Sequence, residues 1–361
     1  MQKIIRKING IDILIDPSKP CLIMLSEDQI KQYNISGALS FREILKLIKR
    51  DSLMLPLYLT LELTSKCNLD CKFCYIHGKR KNDELSFEVL RPVLDRLIDW
   101  GLLGVTLTGG ECTLNKDFAL IYKYLKSKGV IVTVYTNGVL LKDSVFEMFS
   151  ELPPKSVEIS IYDTYKNCPQ PYENALKLRS MNIDVLIKLT VTTETVDLYE
   201  EVKSFSEHNR IPFKFDSDIF DLNTDTKQSS YQIPTEQKVL FDRLKYGKTG
   251  LKSYKRNCFN CGAGNVSVFI NSEFKLGFCS KAKDWFSLYD FSFDEAYLCL
   301  NNIVKRFKDV SLCENYHSCK AKEICHMCYA RAIICGENIA ADKNYCKSLL
   351  SYSEKLYDNW R

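Results

Sequence analysis

Between residues 56 and 250 the chain alternates short apolar runs with longer segments of helical spacing. Leu57 to Leu63, Gly104 to Thr108, Val130 to Tyr135, Val157 to Ile161, Val185 to Val191 and Phe213 to Phe215 read as strands, most of them rich in β-branched and aromatic residues. Between the first two, Ser86 to Trp100 sets Val89, Leu90, Val93, Leu94, Leu97 and Ile98 at helical intervals, an amphipathic helix with one face to bury. Strands alternating with helices predict parallel βαβ units, and six in a row predict an α/β fold, a partial (β/α)6 TIM-like barrel. In such a barrel the loops that follow the carboxyl ends of the strands carry the chemistry.

The flanks follow other patterns. Residues 1–55 predict a small N-terminal α+β extension: a strand at Ile11 to Ile15, a turn at Pro17 to Pro20, a strand at Cys21 to Leu25, and a helix capped by Ser40 that carries Ile44, Leu45, Leu47 and Ile48 on one side. Residues 251–361 have fewer long periodic stretches and hold ten cysteines, so metal rather than a large apolar core is expected to organise them, a zinc-stabilised domain being one form of this. Three units result: 1–55, 56–250 and 251–361.

Composition narrows the setting. A chain of 361 residues buries a core without disulfide staples, so its 16 cysteines are not a secreted scaffold. No apolar run approaches the ~18 residues of a membrane span, and Lys3, Arg6 and Lys7 interrupt the N-terminus before a signal-peptide core forms. These features predict a cytoplasmic protein whose clustered thiols are metal ligands or catalytic groups. The net charge of +5 gives no case for nucleic acid.

Directly after the first barrel strand, KCNLDCKFCY places Cys67, Cys71 and Cys74 in a CxxxCxxC array with no fourth local ligand. A structural zinc wants four ligands, so a distant partner would have to complete one; a cubane iron–sulfur cluster held by three thiolates leaves one iron open. With this loop the sequence resembles the radical S-adenosylmethionine (SAM) superfamily. The resemblance implies a [4Fe-4S] cluster whose open iron chelates the amino and carboxylate groups of SAM, and reductive cleavage to a 5′-deoxyadenosyl radical that abstracts hydrogen from substrate. It further places Phe73 near the adenine. Thr108 to Glu111, TGGE, sits one βα unit on and is similar to the family's glycine–glycine–glutamate motif: Gly109 and Gly110 let the backbone approach a ligand, and the Glu111 carboxylate accepts from the methionine ammonium. By the same resemblance Thr136 and Asn137 in YTNG, Ser160 in SIYD, and Lys188 with Thr190 are SAM-binding candidates. The stretch after Asp163 lacks the arginine that related enzymes often carry there. Cys112 stands where the family commonly has proline, either as a thiol facing the site or as a buried, inert one.

The C-terminal third resembles the SPASM domain, which carries auxiliary clusters on radical SAM enzymes that modify peptides or proteins. Carried over by order, one auxiliary [4Fe-4S] cluster takes Cys258, Cys261, Cys279 and Cys328, and the other takes Cys313, Cys319, Cys325 and Cys346. Cys21, Cys112, Cys168, Cys299 and Cys335 are left over, Cys335 being the readiest substitute ligand, with His317 and His326 as competing neighbours. Phe274 stands where a glycine is typical, and five residues rather than two separate Cys313 from Cys319.

The resemblance implies an oxidoreductase that acts on a peptide or protein, with reduced flavodoxin or ferredoxin as electron donor. Its leading form is a maturase that installs a thioether or carbon–carbon cross-link in a ribosomally made peptide; a peptide epimerase and an anaerobic sulfatase-maturating enzyme are the alternatives. The last typically has an aspartate base immediately after the cysteine corresponding to Cys279, where this chain has Ser280. Residues 1–55 are either a leader-peptide recognition domain, which would add the leader as a strand, or a cap on the barrel. A zinc-rich interaction protein is the non-enzymatic alternative.

Overall fold

The computed structural model describes residues 4–8, 11–15, 23–25, 56–76, 83–219, 228–246, 262–264, 266–282, 285–306, 313–322, 325, 328, 330, 331 and 343–358. Near the N-terminus β1 (Ile4–Ile8), β2 (Ile11–Ile15) and β3 (Ile23–Leu25) form an antiparallel sheet in the order β1-β2-β3. The sequence pattern had shown β2 and β3 but not β1, whose charged residues Arg6 and Lys7 mask its alternation. The helix expected after Ser40 lies outside the described residues.

The barrel runs β4 (Tyr58–Glu62), α1 (Phe87–Asp99), β5 (Gly104–Thr108), α2 (Phe118–Ser127), β6 (Ile131–Thr136), α3 (Asp143–Glu151), β7 (Ser156–Ser160), α4 (Gln170–Ser180), β8 (Val185–Thr190), α5 (Tyr199–His208) and β9 (Phe213–Asp216). Each strand from β4 to β9 pairs in parallel with the next. Alternation along the strands assigns two faces. Leu59, Leu61, Val105, Leu107, Val132, Val134, Val157, Ile159, Ile187 and Leu189 are at most 2% exposed and join the core with Leu90, Leu94 and Leu97 of α1. The interleaved Thr60, Thr106, Thr133, Glu158, Ser160, Lys188 and Thr190 are only half-buried and make up a polar interior face. Ser86 caps α1, its side chain accepting from the Val89 N–H. Arg6 of β1 reaches the other end of this helix and donates to the carbonyls of Leu102, at 2.5 Å, and Ile98, at 3.0 Å. Burial pulls the Arg6 guanidinium down to about 10, against the pull of Asp99.

The C-terminal part contributes α6 (Thr235–Tyr246), β10 (Ser267–Ile270), β11 (Lys275–Gly277), β12 (Phe286–Ser287), α7 (Phe293–Arg306) and α8 (Lys343–Asp358). The strand–turn–strand between Cys261 and Cys279 is the antiparallel pair β10–β11. Sequence pattern did not foresee that β10 also pairs in parallel with β4, so one nine-stranded sheet runs β12-β11-β10-β4-β5-β6-β7-β8-β9. At the β10–β11 turn Phe274 has φ +58°, in the left-handed region where glycine is at home. The strain of about 1–2 kcal/mol is offset by the ring, which is buried and meets Tyr289 edge-on at 5.0 Å. Helix α7 docks on the end of α1, where Trp100 packs against Phe293 and Tyr297 and Arg96 pairs with Asp294. Among the described residues no helix is long and apolar enough to cross a membrane.

Candidate functional site

The carboxyl ends of all six barrel strands open onto one cavity of about 300 Å³. Cys67, Cys71, Phe73, Cys74 and Tyr75 line it from the loop after β4; Gly109 and Gly110 follow β5, Thr136 and Asn137 close β6, and Ser160 and Tyr162 close β7. Thr190, Asp216, Asp218 and Ile219 complete the barrel side, and Lys281 enters from the C-terminal part. A second cavity of about 390 Å³ shares Leu69, Cys71, Phe73, Asn137, Ser160 and Tyr162 with the first and extends past Val139, Asp163, Cys168 and Glu194. The two make one cleft of the size a small-molecule cofactor occupies.

The cysteine loop is held by its own backbone and by Asn137. The Cys74 N–H donates to the Cys71 carbonyl at 3.1 Å. Asn137 Nδ2 donates to Asn68 Oδ1 at 2.9 Å and lies 3.7 Å from Cys67 Sγ. Burial pushes the Tyr162 phenol up, with a Ser160 hydrogen bond opposing the rise and the three cysteines adding to it, and Tyr162 lines the same cavity as their thiols. Phe73 packs against that ring at 5.7 Å and against Tyr231 at 6.4 Å.

Gly109 and Gly110 have a different reason from the one expected. A Cβ on Gly109 would stand 2.6 Å from the Thr64 carbonyl oxygen, and one on Gly110 2.3 Å from that of Lys66. The Gly110 and Glu111 N–H groups donate to Thr64 and Lys66 at 2.7 and 2.8 Å. The glycines therefore let this turn close on the cysteine loop, and their backbone becomes cavity wall as a result.

Glu111 lies behind the cleft wall, outside the residues that line it. Its carboxylate is 1% exposed and fully engaged. Thr136 Oγ1 donates to both oxygens at 2.9 Å, the Asn137 N–H donates at 2.8 Å, and Thr113 donates from Oγ1 at 2.7 Å and from its N–H at 3.2 Å. Burial raises the carboxyl from its ordinary value, and these donors oppose the rise. Glu111 thus fixes Thr136 and Asn137, which do face the cavity. Cys112 beside it is fully buried, donates to the Tyr135 carbonyl at 3.2 Å, and has its thiol pushed well up by burial, so it is the inert thiol of the two alternatives.

Lys188 lies two residues deeper than Thr190 on the interior face of β8, paired with Glu158 and set 3.6 Å from the Tyr135 ring centroid, and it lines neither cavity. A buried partner to the loop went unseen in sequence: Glu62, at the end of β4, accepts from Tyr75 at 3.0 Å and from the Ser272 hydroxyl and N–H at 2.7 and 3.2 Å. Asp216 and Asp218 could have been found from their place after the last strand; nothing local marks Lys281 as a cavity residue.

In the C-terminal part Cys313 and Cys325 are buried, and Cys279, Cys319, Cys328 and Cys346 half-buried. Burial pushes the Cys325 thiol up to about 12, with Cys346, Cys313 and Cys319 adding to the rise, so these four sulfurs share one neighbourhood. Cys258, Cys261, Cys335 and His326 lie outside the described residues.

Residues 61–191 match the radical SAM superfamily. This chain carries a radical SAM domain. It runs from within β4 to just past β8 and includes the cleft residues from Cys67 to Thr190. Among curated proteins the chain is 34% identical over 159 residues to the sporulation killing factor maturation protein SkfB of Bacillus subtilis, covering 41% of this chain and 39% of that protein. It is 26% identical over 287 residues to the subtilosin biosynthesis protein AlbA of the same organism, covering 73% and 64%. The alignments thus span less than two thirds of either relative. Among solved structures, Streptococcus suis SuiB bound to its precursor peptide SuiA shares the fold with a TM-score of 0.65 over 92% of this chain and 95% of that one, at 16% identity.

The cofactors of radical SAM domains are a [4Fe-4S] cluster and SAM, and the donor set fits them. Three thiols, those of Cys67, Cys71 and Cys74, line one open cavity, the donor number that leaves one iron of a cubane free and one short of the four ligands of a structural zinc.

Proposed function

We propose that this protein is a radical SAM/SPASM maturase that oxidatively cross-links a ribosomally made peptide. The observation that carries the reading is the shared cleft: the three-thiol loop, the Gly109–Gly110 backbone and Ser160 line it together with Asp218 and Lys281. A peptide held between barrel and C-terminal part would present its side chain to the cofactors.

Cys67, Cys71 and Cys74 would hold the catalytic cluster, with Asn137 beside Cys67. Gly109, Gly110, Thr136, Asn137 and Ser160 would bind the methionine and ribose parts of SAM, and Phe73 and Tyr162 would flank its adenine. When bound, these cofactors supply the one-electron chemistry that makes an unactivated C–H bond oxidisable. Glu111 keeps Thr136 and Asn137 in register, while Phe73, Tyr162 and Tyr231 form an apolar wall that excludes water. Cys313, Cys319, Cys325 and Cys346 would hold one auxiliary cluster, and Cys279 and Cys328, with Cys258 and Cys261, the other. Residues 1–55 would bind the leader, β3 lying at an edge of the β1-β2-β3 sheet. A reduced flavodoxin or ferredoxin would supply the electron. The sulfatase alternative is disfavoured because Ser280 follows Cys279 and the neighbour that reaches the cleft, Lys281, is a cation.

The test is anaerobic reconstitution with the product of any short peptide gene that neighbours this one. The reading expects about twelve iron atoms per chain, three cubanes, release of 5′-deoxyadenosine, and a peptide lighter by two hydrogens. An unchanged peptide mass with an inverted stereocentre would give the epimerase, and abundant zinc without iron would sink both.

A further inference from the structure

A file of side chains, half-buried at Asp218 and buried beyond it, leads from the cleft to the C-terminal cysteines. Asp218 lines the cavity. Its carboxylate lies 3.4 Å from Lys238 of α6 and 3.8 Å from Arg331, and Lys238 also pairs with Asp242 at 2.9 Å. Burial pushes the Asp218 carboxyl up, but Lys238, Arg331 and Lys281 together outweigh it and hold it below its ordinary value. Arg331 lays its guanidinium 3.9 Å from the Tyr345 ring centroid. Tyr345 Oη stands 4.0 Å from Cys325 Sγ, in the neighbourhood shared with Cys313, Cys319 and Cys346. Arg331 is 5% exposed, Tyr345 6% and Cys325 8%. Charges so placed are screened far less than surface charges.

We propose that Asp218, Arg331 and Tyr345 form an electrostatic relay that sets the reduction potential of the cluster held by Cys313, Cys319, Cys325 and Cys346 and ties it to charge in the cleft. The proposal rests on the cluster assignment made above. Reduction adds one electron to the cluster and makes it more negative. The Arg331 cation, and the Tyr345 hydroxyl, which would donate to Cys325 once that residue is a cluster-bound thiolate, favour that added charge. Asp218 opposes it by neutralising Arg331. The two ends of one ion pair thus act with opposite sign, which a purely structural role does not produce.

The test is an anaerobic redox titration of the full-length protein, with dithionite as reductant and electron paramagnetic resonance as readout, in a background where Cys67, Cys71 and Cys74 are replaced by Ala. Arg331→Gln should lower the potential of one C-terminal signal by about tenfold in the reduction equilibrium, about 59 mV for one electron. Asp218→Asn should raise the same signal by a similar factor. Tyr345→Phe should lower it by less, and Arg331→Lys, which keeps the charge, should restore most of the wild-type value. The other C-terminal cluster serves as an internal reference. Shifts of the same sign in Arg331→Gln and Asp218→Asn, or none in either, overturn the relay. Iron in the background protein separates the two failures: about eight atoms per chain, two cubanes, uphold the cluster reading and leave the relay alone on trial, whereas no bound iron overturns both.

Discussion

On the side of the cleft built by β4 to β6, Glu62 and Glu111 are buried among neutral donors, the hydroxyls of Tyr75, Ser272, Thr113 and Thr136 and the backbone of Thr113, Asn137 and Ser272. On the C-terminal side the half-buried Asp218 is set among cations, Lys238, Arg331 and Lys281. Burial raises the first two carboxyls, whereas the third is lowered, because it keeps more contact with solvent and meets full charges as well as donors. A cage of neutral donors fixes geometry, here the shape of the cysteine loop and the register of Asn137. A cage of cations holds a charge in place at the edge of the cleft.

The largest effect should separate the two sides by chemistry. Cys71→Ala should abolish 5′-deoxyadenosine release from SAM under strong reductant, while Cys325→Ala should keep that release and lose only iron and peptide product. Continued SAM cleavage by Cys71→Ala would refute the loop assignment. Next, Gly110→Ala should destabilise the protein by roughly 1–3 kcal/mol, read as a lower urea midpoint, because its Cβ would meet the Lys66 carbonyl at 2.3 Å. The same substitution at Gly262, whose nearest neighbour would be 3.7 Å away, should not.

The carboxylates predict opposite pH slopes. Glu62 has a raised folded value, so its contribution is fully present below the unfolded value, about 4.3, and is lost as pH rises through the folded one. The stability gap between wild type and Glu62→Gln should therefore shift against the wild type as pH rises. Asp218 has a lowered value, so its contribution is present above about 3.9 and lost as pH falls through the folded one. Wild type should gain on Asp218→Asn with rising pH over the acid range. Urea unfolding across that range reads both slopes, and slopes of equal sign would remove the contrast. The smallest effect belongs to Asp294→Asn, which removes the Arg96 pair between α7 and α1. Both partners are about half exposed, so the loss should stay under about 1 kcal/mol in a thermal melt.

Much of this was legible along the chain. The six barrel strands lie within a residue of where alternation and β-branched runs put them, and α1 ends where its apolar spacing does. The cleft motifs were legible because they follow strand ends. Side-chain direction was not. A GGE turn looks the same whether its glutamate points at a ligand or into the wall, and only the donors of Thr113, Thr136 and Asn137 around Glu111 decide it. Period-two alternation likewise puts Lys188 on the interior face, as it does Thr190, but says nothing of depth.

By itself the sequence determined the alternating barrel, the place of the three-thiol loop at its mouth and the grouping of late cysteines, since periodicity and close spacing act between neighbours. Only the tertiary structure decided that β10 would extend the sheet at β4, that Glu62 would bind Ser272 some two hundred residues away, and that Asp218, Arg331 and Tyr345 would line up behind the cleft. Those pairings come from segments that must share burial and balance charge once packed, a condition that no local stretch of chain contains.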